Sequence, residues 1–120
     1  MANRRIERIN ELLREEISDL IQKEIRDPRL TGLVSVTEVE TSADLRHAKV
    51  FVSVMGPEQQ QKDAIQALKN AAGFFRKELG SRLTLRRTPQ LTFILDVSLE
   101  RGARIMGLLR QMENETSEKE

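Results

Sequence analysis

An apolar stripe at helical spacing runs from residue 64 to residue 83, and a glycine interrupts it. Its members are Ala64 and Ile65, Leu68, Ala71 and Ala72, Phe75, Leu79 and Leu83. Recurrence at three and four residues places them on one helix face, which asks to be buried against a core. Gly73 falls near the middle of that face, and a glycine inside a helix costs about 0.5–1 kcal/mol relative to alanine. The stripe demands helix while the Ala71-Ala72-Gly73 step favours a bend. Residues 56–88 therefore read as a helix, a kink and a second helix. Basic charge gathers on the same stretch. From Lys69 to Arg87 there are Lys69, Arg76, Lys77, Arg82, Arg86 and Arg87 against Glu78 alone.

The 120-residue chain has a net charge of only +1, so the distribution of charge matters more than its total. Residues 1–68 hold ten basic and twelve acidic side chains, and the last eight, ENETSEKE, hold four Glu and one Lys. The positive excess therefore sits at 69–87. That asymmetry points to a polyanion-binding surface rather than a generally basic protein. The chain has no cysteine, which removes disulfide and thiol chemistry. MANRRIERINELLREE has no apolar run of signal-peptide type, and nothing approaches the roughly 18 apolar residues of a membrane helix. A cytoplasmic protein with no membrane partner is expected. Trp and Tyr are absent and Phe occurs four times, which weighs against binding built on stacked aromatics.

Residues 3–26 read as an amphipathic helix, with Ile6, Ile9, Leu13, Ile17, Leu20, Ile21 and Ile25 on one face and Asn3 as cap. Arg4, Arg5 and Arg8 crowd its first turns, the end where the helix dipole prefers anions. They are either a solvated face, with carboxylates such as Glu7 nearby, or a contact for an anionic partner. Asp27-Pro28 ends the helix, and residues 29–32 connect it to a strand at 33–41. That strand slips parity between Val36 and Val39, as a bulge or a change of face would require. Ser42-Ala43-Asp44-Leu45 reads as a turn. A second strand at 46–55 sets Ala48, Val50, Val52 and Val54 on one face, completing an antiparallel hairpin. Gly56-Pro57 stops it and starts the kinked helical element. A third strand at 90–97 aligns Leu91, Phe93, Leu95 and Val97. A last helix at 99–112 is weakened by Gly102 and Gly107, and residues 113–120 form an acidic tail expected to be disordered. The order is α-β-β-α-kink-α-β-α. An α+β fold over 1–112, a three-stranded sheet with helices packed on one face, is the economical arrangement.

Catalytic patterns are missing from the sequence. His47 is the only histidine and lies on an expected strand. No metal-ligand spacing, P-loop or dinucleotide fingerprint occurs. No enzyme activity, cofactor or metal is expected. The kinked element suits a polyanion better. Amide groups at the start of its second helix favour a phosphate, and small residues let a backbone come close. Lys69, Arg76 and Lys77 lie within two turns of Gly73, and Arg82, Arg86 and Arg87 extend the charge. The competing reading is that the small residues only let helix and sheet pack closely, with the arginines solvated.

Several motifs, in order, carry a resemblance. They are Asp27-Pro28-Arg29-Leu30, Val34-Ser35-Val36-Thr37-Glu38-Val39, and Asp44-Leu45-Arg46-His47-Ala48-Lys49-Val50. The run Leu68-Lys69-Asn70-Ala71-Ala72-Gly73-Phe74-Phe75-Arg76-Lys77-Glu78-Leu79 and the run Arg86-Arg87-Thr88-Pro89-Gln90-Leu91-Thr92-Phe93 follow. Over about residues 4–110 the chain resembles the ribosome-binding factor A family. The resemblance implies a type II KH-like fold. KH domains clamp nucleic-acid backbone with a GxxG loop, whereas this chain has Ala71-Ala72-Gly73 and the family's Ala-x-Gly kink. It further implies a monomeric, non-catalytic assembly factor that binds the precursor 30S subunit and its 16S rRNA. Such a factor supports late maturation, including 5′-end processing of 16S rRNA and growth in the cold, and a ribosome-associated GTPase takes part in its release. The expected RNA surface comprises Arg4, Arg5, Arg8, Lys69, Asn70, Ala71, Ala72, Gly73, Arg76, Lys77, Arg82, Arg86 and Arg87. The rival is a protein–protein interaction module that docks on ribosomal particles without touching RNA.

Overall fold

A computed structural model describes residues 4–23 and 34–97. The expected cap at Asn3, the helix stop at Asp27-Pro28, the connector 29–32, the last helix and the acidic tail lie outside the described residues. Within them the elements run α1 (Arg4–Lys23), β1 (Val34–Thr41), β2 (His47–Val54), α2 (Glu58–Asn70), α3 (Ala72–Arg82) and β3 (Gln90–Leu95).

Of the α1 stripe, Ile9, Leu13, Ile17, Leu20 and Ile21 are buried and Ile6 packs partly buried against the core, while Ile25 lies outside the described residues. Burying each such side chain stabilises the fold by about 1.5–3 kcal/mol. The helix lies along β1, where Asn10 Oδ1 accepts a hydrogen bond from the Thr41 amide at 2.8 Å. That bond ties the helix to an edge strand.

The sheet order is β1-β2-β3, with β1 antiparallel and β3 parallel to β2. The parity slip in β1 is a bulge. Val36 faces Val52 and Glu38 faces Phe51, so Thr37 is the extra residue. Val36 and Val39 are consequently both buried despite their odd spacing. The Thr37 hydroxyl donates to Asp96 Oδ2 at 2.6 Å, tying the bulge to the chain just past β3. In β2 the alternation is clean, with Ala48, Val50, Val52 and Val54 buried. Leu91 and Phe93 of β3 join them. The helices cover this face, giving the α+β arrangement of three helices on a mixed three-stranded sheet.

Entry into α2 depends on Gly56, whose φ is +131°. A side chain there would be strained, and its β-carbon would fall 2.5 Å from the Gln60 side chain. Pro57 caps the helix from an extended conformation. The buried Gln61 side chain then donates to the Gly56 carbonyl at 3.1 Å, so its amide is not left unsatisfied in the core. Among the described residues no helix is long and apolar enough to cross a membrane.

Candidate nucleic-acid interface

The helix breaks at Ala71, whose φ of −92° and ψ of 3° lie outside the helical well. Its amide is shared between the Ala67 and Leu68 carbonyls at 3.1 Å each, and its carbonyl accepts from Phe75 at 3.0 Å. The hydrogen-bond ladder is therefore almost continuous through the break. Amides at the break are spent on the carbonyls of Ala67, Leu68 and Lys69, so this kink offers fewer donors to a phosphate than a fresh helix start. Ala71 and Ala72 pack against the core. Gly73 does not: a β-carbon there would meet nothing within 4 Å. Close internal packing thus accounts for the two alanines and leaves Gly73 unexplained from within the chain. Beside it, Phe74 is 39% exposed, with its ring edge-on to Phe75 at 6.2 Å. Lys69 and Asn70 are exposed at the end of α2, and Asn70 accepts from the Gln66 side chain at 3.0 Å.

The cations of α3 and the following loop divide by what they touch. Arg82 reaches Asp19 at 3.1 Å and Glu16 at 3.4 Å, both on α1, and lies 4.0 Å from Glu78. It joins two helices. The Asp19 carboxyl is held below its ordinary range by hydrogen bonds from Lys23 first and Arg82 second. Arg76 donates to the Thr88 carbonyl from two nitrogens at 3.4 Å, bracing α3 against the segment entering β3. Lys77 is exposed.

Arg86 and Arg87 are neighbours in sequence but line different grooves. Arg86, with Thr84 and Leu85, walls an open groove of about 480 Å³ whose other side is Arg4, Arg5 and Arg8 of α1. Two cationic groups from the two ends of the described chain thus share one site. Arg87 lines a second groove of about 330 Å³ with Arg76, Thr88, Gln90, Arg46 and His47. Arg46 and His47 were legible only as the edge of a turn and the start of a strand. No local signal joins them to Arg87, because their proximity follows from the pairing of β2 with β3, where Gln90 donates its amide to the Arg46 carbonyl at 2.8 Å.

The turn that leads into Arg46 is unusual. Leu45 has φ +62°, a left-handed conformation that costs a non-glycine residue about 1–2 kcal/mol. Its side chain is buried at the floor of the first groove. The Leu45 amide donates to the Ser42 carbonyl at 2.9 Å, and the Ser42 amide donates to the His47 carbonyl at 2.8 Å. Asp44 Oδ1 accepts from the Ser42 hydroxyl at 2.7 Å and from the Arg46 amide at 3.0 Å. The Ser42 hydroxyl oxygen in turn accepts from the His47 amide at 3.1 Å.

The family model described as ribosome-binding factor A matches residues 5–109. The chain belongs to the ribosome-binding factor A family. A relative of that name from Acetivibrio thermocellus is 55% identical over 113 residues, spanning 94% of this chain and 89% of the relative. Another, from Trichormus variabilis, is 48% identical over 117 residues, 97% of this chain and 88% of its own. The crystal structure of ribosome-binding factor A from Thermus thermophilus is similar with a TM-score of 0.67 and 28% identity, covering 75% of this chain and 94% of that one. A homology model of the Thermus thermophilus factor, fitted into a cryo-electron microscopy map of its complex with the 30S subunit, is similar with a TM-score of 0.61 and 26% identity over 73% of this chain and 91% of that one. The kink, the second groove and all of the first groove except Arg4 fall within the span matched to ribosome-binding factor A.

Proposed function

We propose that this chain is a non-catalytic assembly factor that binds the precursor 30S subunit through 16S rRNA and supports its late maturation. Membership of the ribosome-binding factor A family supports the ribosomal partner, as does the likeness to a factor fitted into a 30S complex. The observation that carries the RNA contact is the meeting of Arg4, Arg5 and Arg8 with Arg86 along one groove. Convergent guanidinium groups complement the charge of a sugar-phosphate strand, and arginine holds phosphate in a two-pronged geometry. Gly73, Lys69, Asn70, Lys77 and the half-exposed Phe74 give the same strand a close approach at the kink. Arg82 acts mainly by holding α3 on α1, and Arg76 by bracing Thr88, so their share in RNA binding comes through position as well as charge. Support for 5′-end processing of 16S rRNA and for growth in the cold belongs to the same role, with release by a ribosome-associated GTPase.

Binding of the purified chain to free 30S subunits, titrated with salt, tests the reading. Five or six phosphate contacts predict a loss of affinity of about a thousandfold between 50 and 200 mM salt. The triple variant Arg4→Ala, Arg8→Ala, Arg86→Ala should melt like wild type, since its residues are exposed, yet bind with a log–log salt slope shallower by about three units. An unchanged slope in that variant would remove the first groove from the RNA surface.

A further inference from the structure

The second groove and the turn beside it carry a role that the kink and the first groove leave unassigned. Resting on the RNA-binding reading above, we infer that the β1–β2 turn is a preformed phosphate-binding element, with Arg46 and His47 contacting the same rRNA strand that Arg86 and Arg87 straddle. Three observations meet here. Arg46 and His47 line one open groove with Arg76 and Arg87, so four cationic or protonatable side chains from three parts of the chain converge. The turn holds a buried leucine in the left-handed region, and strain of that kind persists where the surrounding structure enforces it and clusters at binding sites. Finally, its hydrogen bonds leave it little freedom. Ser42 and Asp44 between them engage the amides of Leu45, Arg46 and His47 before any ligand arrives.

The arrangement explains why the strain is tolerated. Leu45 buries its side chain at the floor of the first groove, while the next two residues line the second. One left-handed residue thereby splits three consecutive side chains between two sites. Arg86 and Arg87 make the same division from the facing loop. The turn and the α3–β3 loop thus each contribute residues to both grooves, and both grooves carry arginines. Asp44 lies 3.9 Å from the Arg46 guanidinium. Both groups are well exposed, so the pair is weak and a phosphate can take over the guanidinium. Ordering cost is low because the backbone is already fixed, which is how preorganised loops convert contacts into affinity.

The experiment compares the full chain with its R46Q/H47Q variant, using free 30S subunits at several salt concentrations between 50 and 200 mM. Both residues are exposed, so the melting temperature should hold. Affinity at the lowest salt should fall about tenfold or more, with a slope shallower by about one unit. Arg46→Lys should keep the wild-type slope, because the charge is retained on the same turn. If R46Q/H47Q binds with wild-type affinity and slope while the Arg4, Arg8, Arg86 variant is impaired, this inference is overturned and the first groove stands. A wild-type affinity that does not change with salt overturns both readings together.

Discussion

Gly73 shows how little a residue type says without its surroundings. A glycine in a helical stripe suggests either a positive φ or a close approach within the fold. Neither holds here: Gly56 takes the positive φ, and Gly73 faces open space. Gly73→Ala should therefore stabilise the isolated chain by up to about 1 kcal/mol, read as a higher denaturation midpoint. It should weaken binding to 30S subunits if an rRNA backbone approaches there. A stabilised variant with wild-type binding would make the glycine incidental. Asp44 offers a second test at this scale. Its carboxyl is held below the ordinary value of 3.8, first by the Ser42 hydroxyl and then by the Arg46 amide. A depressed folded pKa adds stability that is complete above the unfolded value and drains away as pH falls through the folded one. Protection of the Arg46 and His47 amides from hydrogen exchange should therefore hold down to about pH 4 and decline below it. Asp44→Asn should lower that protection at pH 6 and abolish the acid dependence. Equal protection at pH 6 would show that the carboxylate does not support the turn.

Among the three described helices, α3 has the fewest buried residues. Only Phe75 and Leu79 of its eleven residues are buried, although Phe75 packs well, with its ring centroid 5.3 Å from that of Phe93. Polar tethers take up the remainder. Arg82 binds the helix to Glu16 and Asp19 on α1, and Arg76 binds it to the Thr88 carbonyl. This tethering matters for function because α3 leads directly into the loop that carries Arg86 and Arg87. Arg82→Ala should lower the melting temperature by a few degrees at low salt, with the gap to wild type narrowing as salt rises, since partly exposed ion pairs are screened. Identical melts at low salt would mean that the two apolar residues anchor α3 unaided.

For the whole molecule, the net charge of +1 gives no strong long-range attraction to a polyanion. Affinity must come from charge gathered on one side. α1 supplies three arginines, the α3–β3 loop two, and the β1–β2 turn adds Arg46 and His47. Steep salt dependence in a nearly neutral chain is the signature of such local gathering, because only the contacted phosphates release counterions. The fold serves this end by running β3 parallel to β2, which brings the loop before β3 beside the turn before β2.

Several features that depend on neighbours within a few residues were legible in the sequence. The α1 stripe, the alternation of β2, the kink at Ala71 and the irregularity between Val36 and Val39 all follow from local periodicity and propensity. Chain closure over long distances decided the rest. The parity slip became a bulge at Thr37 only because Phe51 pairs with Glu38. Arg82, one basic residue among many in the sequence, became a clasp because α3 lies across the acidic side chains of α1. Arg8 and Arg86 came to share a groove, and His47 came to stand beside Arg87, through pairings that no local pattern encodes. Side-chain periodicity reports which face a residue occupies; which distant face it meets is set by how the sheet is ordered and how the helices cover it.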